Sequence, residues 1–131
     1  MTSLPLASLV TLLVVLLLFF TALNAGRARV RYGIKAPAVT GHEMFERAFR
    51  IQMNTLENAV LMLPALWLYA GLIDDGGAGL TGAIWLVGRV WYAIAYQNDP
   101  AKRGIGFGLG ILAFLGLWFG ALWGVVRILM H

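Results

Sequence analysis

Between Glu43 and Leu72 the chain reads as one unbroken helix. Its second half is apolar enough for a bilayer, while its first half carries Glu43, Glu46, Arg47, Arg50, Gln52, Asn54 and Glu57. At about 100° per residue, Arg47, Arg50, Asn54 and Glu57 fall within an arc of roughly 80°. Ionised groups are costly in lipid, so a spanning helix with such a stripe must set it against protein or water. The remainder of the chain therefore has to cover that stripe, or help hold a ligand that does.

Three further runs reach spanning length. Leu4 to Ala25 is almost pure Leu, Val and Phe, long enough for the ~20 residues a bilayer requires. It has neither the basic leader nor the short core of about 7–15 residues that marks a signal peptide. Helices are expected over about residues 4–31, 43–72, 80–97 and 105–129. The breaks between them hold Pro37, Thr40 and Gly41, then Asp74, Asp75, Gly76 and Gly77, then Asn98, Asp99 and Pro100. Thr40 or Gly41 suits the cap of the second helix, and Glu43 and Glu46 suit the positive end of its dipole. The four residues from Asp74 to Gly77 are expected as a turn.

Of the 131 residues, 60% are hydrophobic, against about 45–50% in a soluble domain. One integral membrane domain over residues 1–131 accounts for the whole length. Cysteine is absent, so no disulfide, thiolate metal site or cysteine nucleophile belongs to the chain. With only His42 and His131 for imidazole ligands, no metal centre is expected. The net charge of +4 is not gathered into the basic, aromatic-interleaved surface that nucleic acid requires. It describes topology instead. Arg27, Arg29, Arg31 and Lys35 follow the first helix, and Lys102 and Arg103 follow the third, whereas the second connection holds Asp74 and Asp75. Loops 1 and 3 are thus expected on the cytoplasmic side and both termini on the periplasmic or lumenal side. Arg127 is a minor dissent.

The stripe has a bland explanation and a functional one. Glu43–Arg47 and Glu46–Arg50 stand at the spacing of helical ion pairs. Arg50 and Glu57 lie two turns apart and cannot pair with each other. The third helix offers a second polar face, Arg89, Tyr92 and Tyr96, leading to Asp99 and Arg103. Tyrosines at a membrane edge serve as interfacial anchors, but two beside an arginine also suit a polar pocket. Together the faces supply guanidinium forks for carboxylates, amides for peptide groups and Glu57 for an ammonium. Glutathione carries all three partners. Arg103, after Asp99-Pro100, is either a topology marker or a cation able to favour a ligand thiolate, since a free thiol titrates near about 8.5. The glycine-rich stretch from Gly104 to Gly110 follows no strand and is expected to serve packing rather than nucleotide binding. Gly116, Gly120 and Gly124 repeat at the spacing that permits close helix approach.

The segments PAVTGHEMFERAFRIQMNTLEN (Pro37–Asn58) and GRVWYAIAYQNDPAKR (Gly88–Arg103) resemble the MAPEG superfamily, the membrane-associated proteins of eicosanoid and glutathione metabolism. Within it, they resemble the branch of microsomal glutathione transferases and leukotriene C synthase. The resemblance implies an all-α, four-helix membrane subunit forming a homotrimer, with glutathione at the cytoplasmic side between subunits. It places Arg50, Asn54, Glu57, Tyr92 and Tyr96 at glutathione-contacting positions, Gln52 and Arg29 at contacts from the adjacent subunit, and Arg103 at the thiolate-stabilising arginine. Arg47, Asn58 and Arg89 stand as supporting residues.

The implied activity is conjugation of glutathione to a hydrophobic electrophile arriving from membrane lipid, with reduction of lipid hydroperoxides as a companion reaction. Asn58 stands where the leukotriene synthase has a tyrosine and other microsomal transferases of the family have asparagine; Val30 replaces a second arginine of that synthase, which argues against that dedicated activity. A non-enzymatic lipid-binding or scaffold member of the superfamily is the alternative. Arg50 and Glu57 speak against it, because the lipid-presenting member departs there. A small four-helix multidrug transporter would need a carboxylate in its first helix, which has none.

Overall fold

The apolar run that begins at Pro5 becomes α1, Pro5–Tyr32. Proline is well placed in a first turn, where the missing N–H has no intrahelical partner to lose. The helix stops at Gly33, whose φ of 67° is left-handed, and the Ile34 amide returns to the Arg29 carbonyl at 2.9 Å. In the computed structural model, which describes residues 3–131, α2 follows over Glu43–Leu72, α3 over Asp75–Asn98 and α4 over Gly104–Leu129. A short 3-10 turn, Pro100–Lys102, joins the last two. The first three helices, and the segment from that turn to Leu129, are each long and apolar enough to cross a membrane.

Two boundaries differ from expectation. α2 is capped by His42, whose Nδ1 accepts from the Met44 amide at 3.0 Å, rather than by Thr40 or Gly41. α3 starts at Asp75 rather than near Leu80, so the expected turn of acids and glycines is the first turn of a helix. Its physical cause is capping: Asp74 accepts from the Gly77 amide at 2.6 Å, satisfying a donor of the first turn. Asp75 then reaches across the bundle. Its two oxygens accept from the Leu6 and Ala7 amides, both at 2.9 Å, where α1 has its own orphaned donors. Arg127 works at the same end of the bundle, donating to the Leu72 carbonyl at 3.0 Å and closing the C-terminus of α2.

α2 and α3 form a central pair that touches both outer helices, with α1 and α4 on opposite sides. The core runs between them through Val14, Met62, Leu66, Trp85 and Leu117, all fully buried. Leu12, Val60, Leu80 and Leu112 point outward at 63–69% exposure, as suits a lipid-facing surface. The tightest helix approach is between α3 and α4. A Cβ on Gly88 would lie 2.9 Å from the Gly106 carbonyl oxygen and the Gly110 nitrogen, and one on Gly106 would strike the backbone of Tyr92. Thus the glycine-rich start of α4 serves packing. Of the spaced glycines further on, Gly120 receives the Tyr69 ring and Gly124 receives Leu72, but Gly116 is exposed and only touches Thr81 at 3.9 Å.

Candidate functional site

The α3–α4 contact decides where the polar residues go. Because backbone meets backbone at Gly88 and Gly106, the side chains of Arg89 and Tyr92 are turned into the bundle. Arg89 is 1% exposed and Tyr92 is 2% exposed, which makes Arg89 the most deeply buried charge among the described residues. One guanidinium nitrogen donates to the Asn54 carboxamide oxygen at 2.8 Å and to the Thr55 hydroxyl at 3.0 Å. The other two nitrogens have no protein partner. The guanidinium also sits 4.2 Å from the Tyr92 ring centroid, a cation–π distance.

From there a ladder of contacts leads to the α3–α4 connection. The Tyr92 and Tyr96 ring centroids are 5.5 Å apart, and the Arg103 guanidinium lies 5.8 Å from that of Tyr96. Arg103 is exposed, and a 2.7 Å hydrogen bond to the Pro100 carbonyl steadies it. Arg50 stands one turn before Asn54 on the same face of α2. On α2, Asn58 donates to the Asn54 carbonyl at 2.9 Å and approaches its side-chain oxygen at 3.4 Å, bracing Asn54 from the other side. The structure therefore joins Asn54, Asn58, Arg89, Tyr92, Tyr96 and Arg103 into one array, with Arg50 at its edge.

The bland account of the stripe holds for half of it. Arg47 pairs with Glu43 and also donates to the Gln97 and Asn98 carbonyls at 2.9 and 3.2 Å, closing the end of α3. Arg47 is thus a structural brace. Glu46 does not pair with Arg50; it accepts from the Gly41 amide at 3.2 Å. Arg50 and Glu57 are exposed, and neither has a side-chain hydrogen bond or ion pair among the described residues. On the helical wheel both lie far from the buried stripe of Ile51, Thr55 and Met62. Glu57 stands fourteen residues into α2, a rise of about 21 Å.

Arg29 and Gln52 are on another side. The Arg29 guanidinium lies 4.8 Å from the Phe45 ring centroid and 5.9 Å from that of Phe49, and donates to the Ala38 carbonyl at 2.6 Å. Gln52 continues the Phe45–Phe49 row one turn on, without a side-chain hydrogen bond of its own. Neither residue meets the Asn54–Arg103 array within this chain. Val30, beside Arg29, is 86% exposed.

Beyond Glu57 the same face of α2 turns apolar. Val60, Leu61, Pro64 and Leu68 line one wall of a cavity of about 430 Å³, with Trp118 and Leu122 of α4 opposite. A polar surface with cationic and anionic ends thus continues into an apolar groove. Sequence reasoning overlooked Thr55, which shares the Arg89 hydrogen bonds. Its signal was available: Thr55 is a small hydroxyl one residue after Asn54, on the apolar side of α2.

The MAPEG family pattern matches residues 7–123. The chain is 46% identical over 121 residues to an uncharacterized protein of Synechocystis, covering 92% of this chain and 88% of that one. It is 38% identical over 100 residues to microsomal glutathione S-transferase 2 of Homo sapiens, covering 75% of this chain and 68% of the relative. With leukotriene C4 synthase of Cavia porcellus it shares 37% over 94 residues, 72% of this chain and 63% of that one. Four membrane-length helices and a polar array at one end define a multi-pass integral membrane protein. The chain belongs to the MAPEG family, in the branch of microsomal glutathione S-transferase 2 and leukotriene C4 synthase.

Proposed function

We propose that this protein is a membrane-bound glutathione transferase that joins the glutathione thiolate to hydrophobic electrophiles. The observation that carries the reading is the continuity of one face: the array from Asn54 to Arg103 lies beside the unpaired Arg50 and Glu57 and passes into the apolar groove at Val60. Glutathione S-transferase relatives at this level of identity support it. Arg50 and the Asn54 amide suit the carboxylates and peptide groups of the tripeptide, Glu57 its ammonium, and the phenolic hydroxyls of Tyr92 and Tyr96 supply further donors.

Arg103 is the thiolate-stabilising residue. Near a cation the thiol loses its proton to solvent more readily, and the sulfur lone pair attacks the electrophilic carbon as the leaving group departs with the bonding electrons. With a lipid hydroperoxide, two glutathiones would instead give a disulfide, water and the lipid alcohol. The apolar groove receives the electrophile from the bilayer.

The assembly is a homotrimer with sites between subunits. Exposed Arg50 and Glu57 on a spanning helix call for cover, and Arg29 with Gln52 present a second polar side of the same chain. Loops 1 and 3, with the polar array, face the cytoplasm. Purified protein assayed with glutathione against an aryl halide and a lipid hydroperoxide tests the activity, and its mass in detergent tests the trimer. Conjugation or peroxide reduction with glutathione-dependent thermal stabilisation is the expected result. Absence of both would favour a non-enzymatic scaffold.

A further inference from the structure

α1 carries two polar sides. Around the helix, Arg27 and Arg31 lie about 160° from Arg29, so they face away from the side of the chain that Arg29 shares with Phe45. Both are exposed, bordering a surface groove with Leu23 and Val30 on one side and a space towards α2 and α3 on the other. With Asn24, Tyr32 and Gln97 they line a cavity of about 270 Å³ between α1, α2 and α3. Neither arginine makes a hydrogen bond or ion pair among the described residues, apart from the packing of Arg31 on the Tyr32 ring at 5.6 Å. The acids at the start of α2 are already engaged, Glu43 by Arg47 and Glu46 by the Gly41 amide. No carboxylate lines the cavity. Its buried acceptor, the Gln97 side-chain oxygen, has no partner. Two cations without a protein partner among the described residues therefore border one space.

Below it the lining changes character. Asn24 and Gln97 also close the end of a second cavity, about 290 Å³, whose walls are Leu17, Phe20, Ile51, Ala93 and Ile94. From Asn24 back to Leu17 the groove follows α1 for about 10 Å towards the middle of the membrane. α1 has 28 residues, about 42 Å, against a hydrocarbon layer of about 30 Å. Its last two turns, with Arg27 and Arg31, thus reach headgroup depth while the groove stays among acyl chains.

We propose that these joined cavities hold one anionic phospholipid. Its phosphate sits between Arg27 and Arg31, and one acyl chain lies along Leu17, Phe20 and Ile94. Basic pockets between membrane helices at this depth recognise such headgroups, and guanidinium forks suit phosphate oxygens. The groove selects a lipid over a free anion. The site lies across α3 from Tyr92 and Tyr96, so it does not rest on the proposed transferase activity.

The test is thermal unfolding of delipidated protein in detergent, with phosphatidylglycerol, phosphatidylcholine or inorganic phosphate added at equal concentration. Phosphatidylglycerol is expected to raise the midpoint by several degrees and the other two to leave it in place. The shift should vanish in the double variant Arg27→Gln/Arg31→Gln and in Ala93→Phe, which fills the groove while keeping both arginines. It should persist in Lys35→Gln/Lys102→Gln, which removes the same charge outside the cavity. An equal shift with phosphatidylcholine, or loss in the lysine variant, would overturn the site. A shift reproduced by inorganic phosphate would overturn the lipid.

Discussion

The Arg89 guanidinium donates to the Asn54 carboxamide oxygen at 2.8 Å, across the α2–α3 interface and inside the bundle. That bond occupies the acceptor of Asn54 and leaves its amide free to face a ligand. Arg89 itself is poorly satisfied, with two of its three nitrogens unpartnered, and its partners Asn54 and Thr55 are neutral, so an apolar side chain of similar volume removes a costly buried charge without stranding another.

Arg89→Met is therefore expected to melt at or above the wild-type temperature while its KM for glutathione rises about tenfold, the worth of one charge-assisted hydrogen bond. Paired melting curves and glutathione titrations check this. An unchanged KM in a well-folded variant would remove Arg89 as the residue that positions Asn54.

Arg103 and Arg50 should separate kinetically. Arg103→Ala is expected to lower kcat by about 10²-fold or more with a modest change in KM, because thiolate stabilisation acts on the reacting atom. Arg50→Ala and Glu57→Gln are expected to raise KM about tenfold or more, since they hold the ligand in ground and transition states alike. Steady-state kinetics with an aryl halide distinguish the two patterns, and the ultraviolet band of bound thiolate should fade only in the Arg103 variant. Full activity of Arg103→Ala at neutral pH would refute its role.

At the far end of the bundle, Asp75 holds the first amides of α1. Asp75→Asn keeps the shape but gives up the charge at a helix N-terminus and one acceptor oxygen, a loss of about 1–2 kcal/mol. The variant should melt lower and show the wild-type KM for glutathione, because the polar array lies at the other end.

Two glycines of α4 offer a contrast in one helix. Gly106→Ala drives a methyl group into the Tyr92 backbone, so α3 and α4 must separate, and activity should fall with stability as Tyr92 and Arg103 shift. Gly116→Ala meets only ordinary contact with Thr81 and should stabilise by about 0.5–1 kcal/mol through reduced backbone freedom. Melting temperature and activity measured side by side would reveal any reversal.

Much was legible in the residues themselves. Long apolar runs gave the helices their class and their membrane, because no other structure satisfies the backbone in lipid. Helical spacing put Arg50, Asn54 and Glu57 on one face, and put Gln52 on another, since a 3.6-residue period is a local property. What the chain's own periodicity could not decide was which charge found a partner. Arg47 and Arg50 look alike in sequence, yet one closes the end of α3 and the other stays uncovered, while Glu46, one turn before Arg50, accepts from the Gly41 amide instead. The turn foreseen at Asp74 became a helix for a similar reason, as its acids met donors in α3 and α1 that lie far apart along the chain. Only the α3–α4 backbone contact buried Arg89 and made it the centre of the array. Local pattern assigned each face; long-range packing decided what each face would meet.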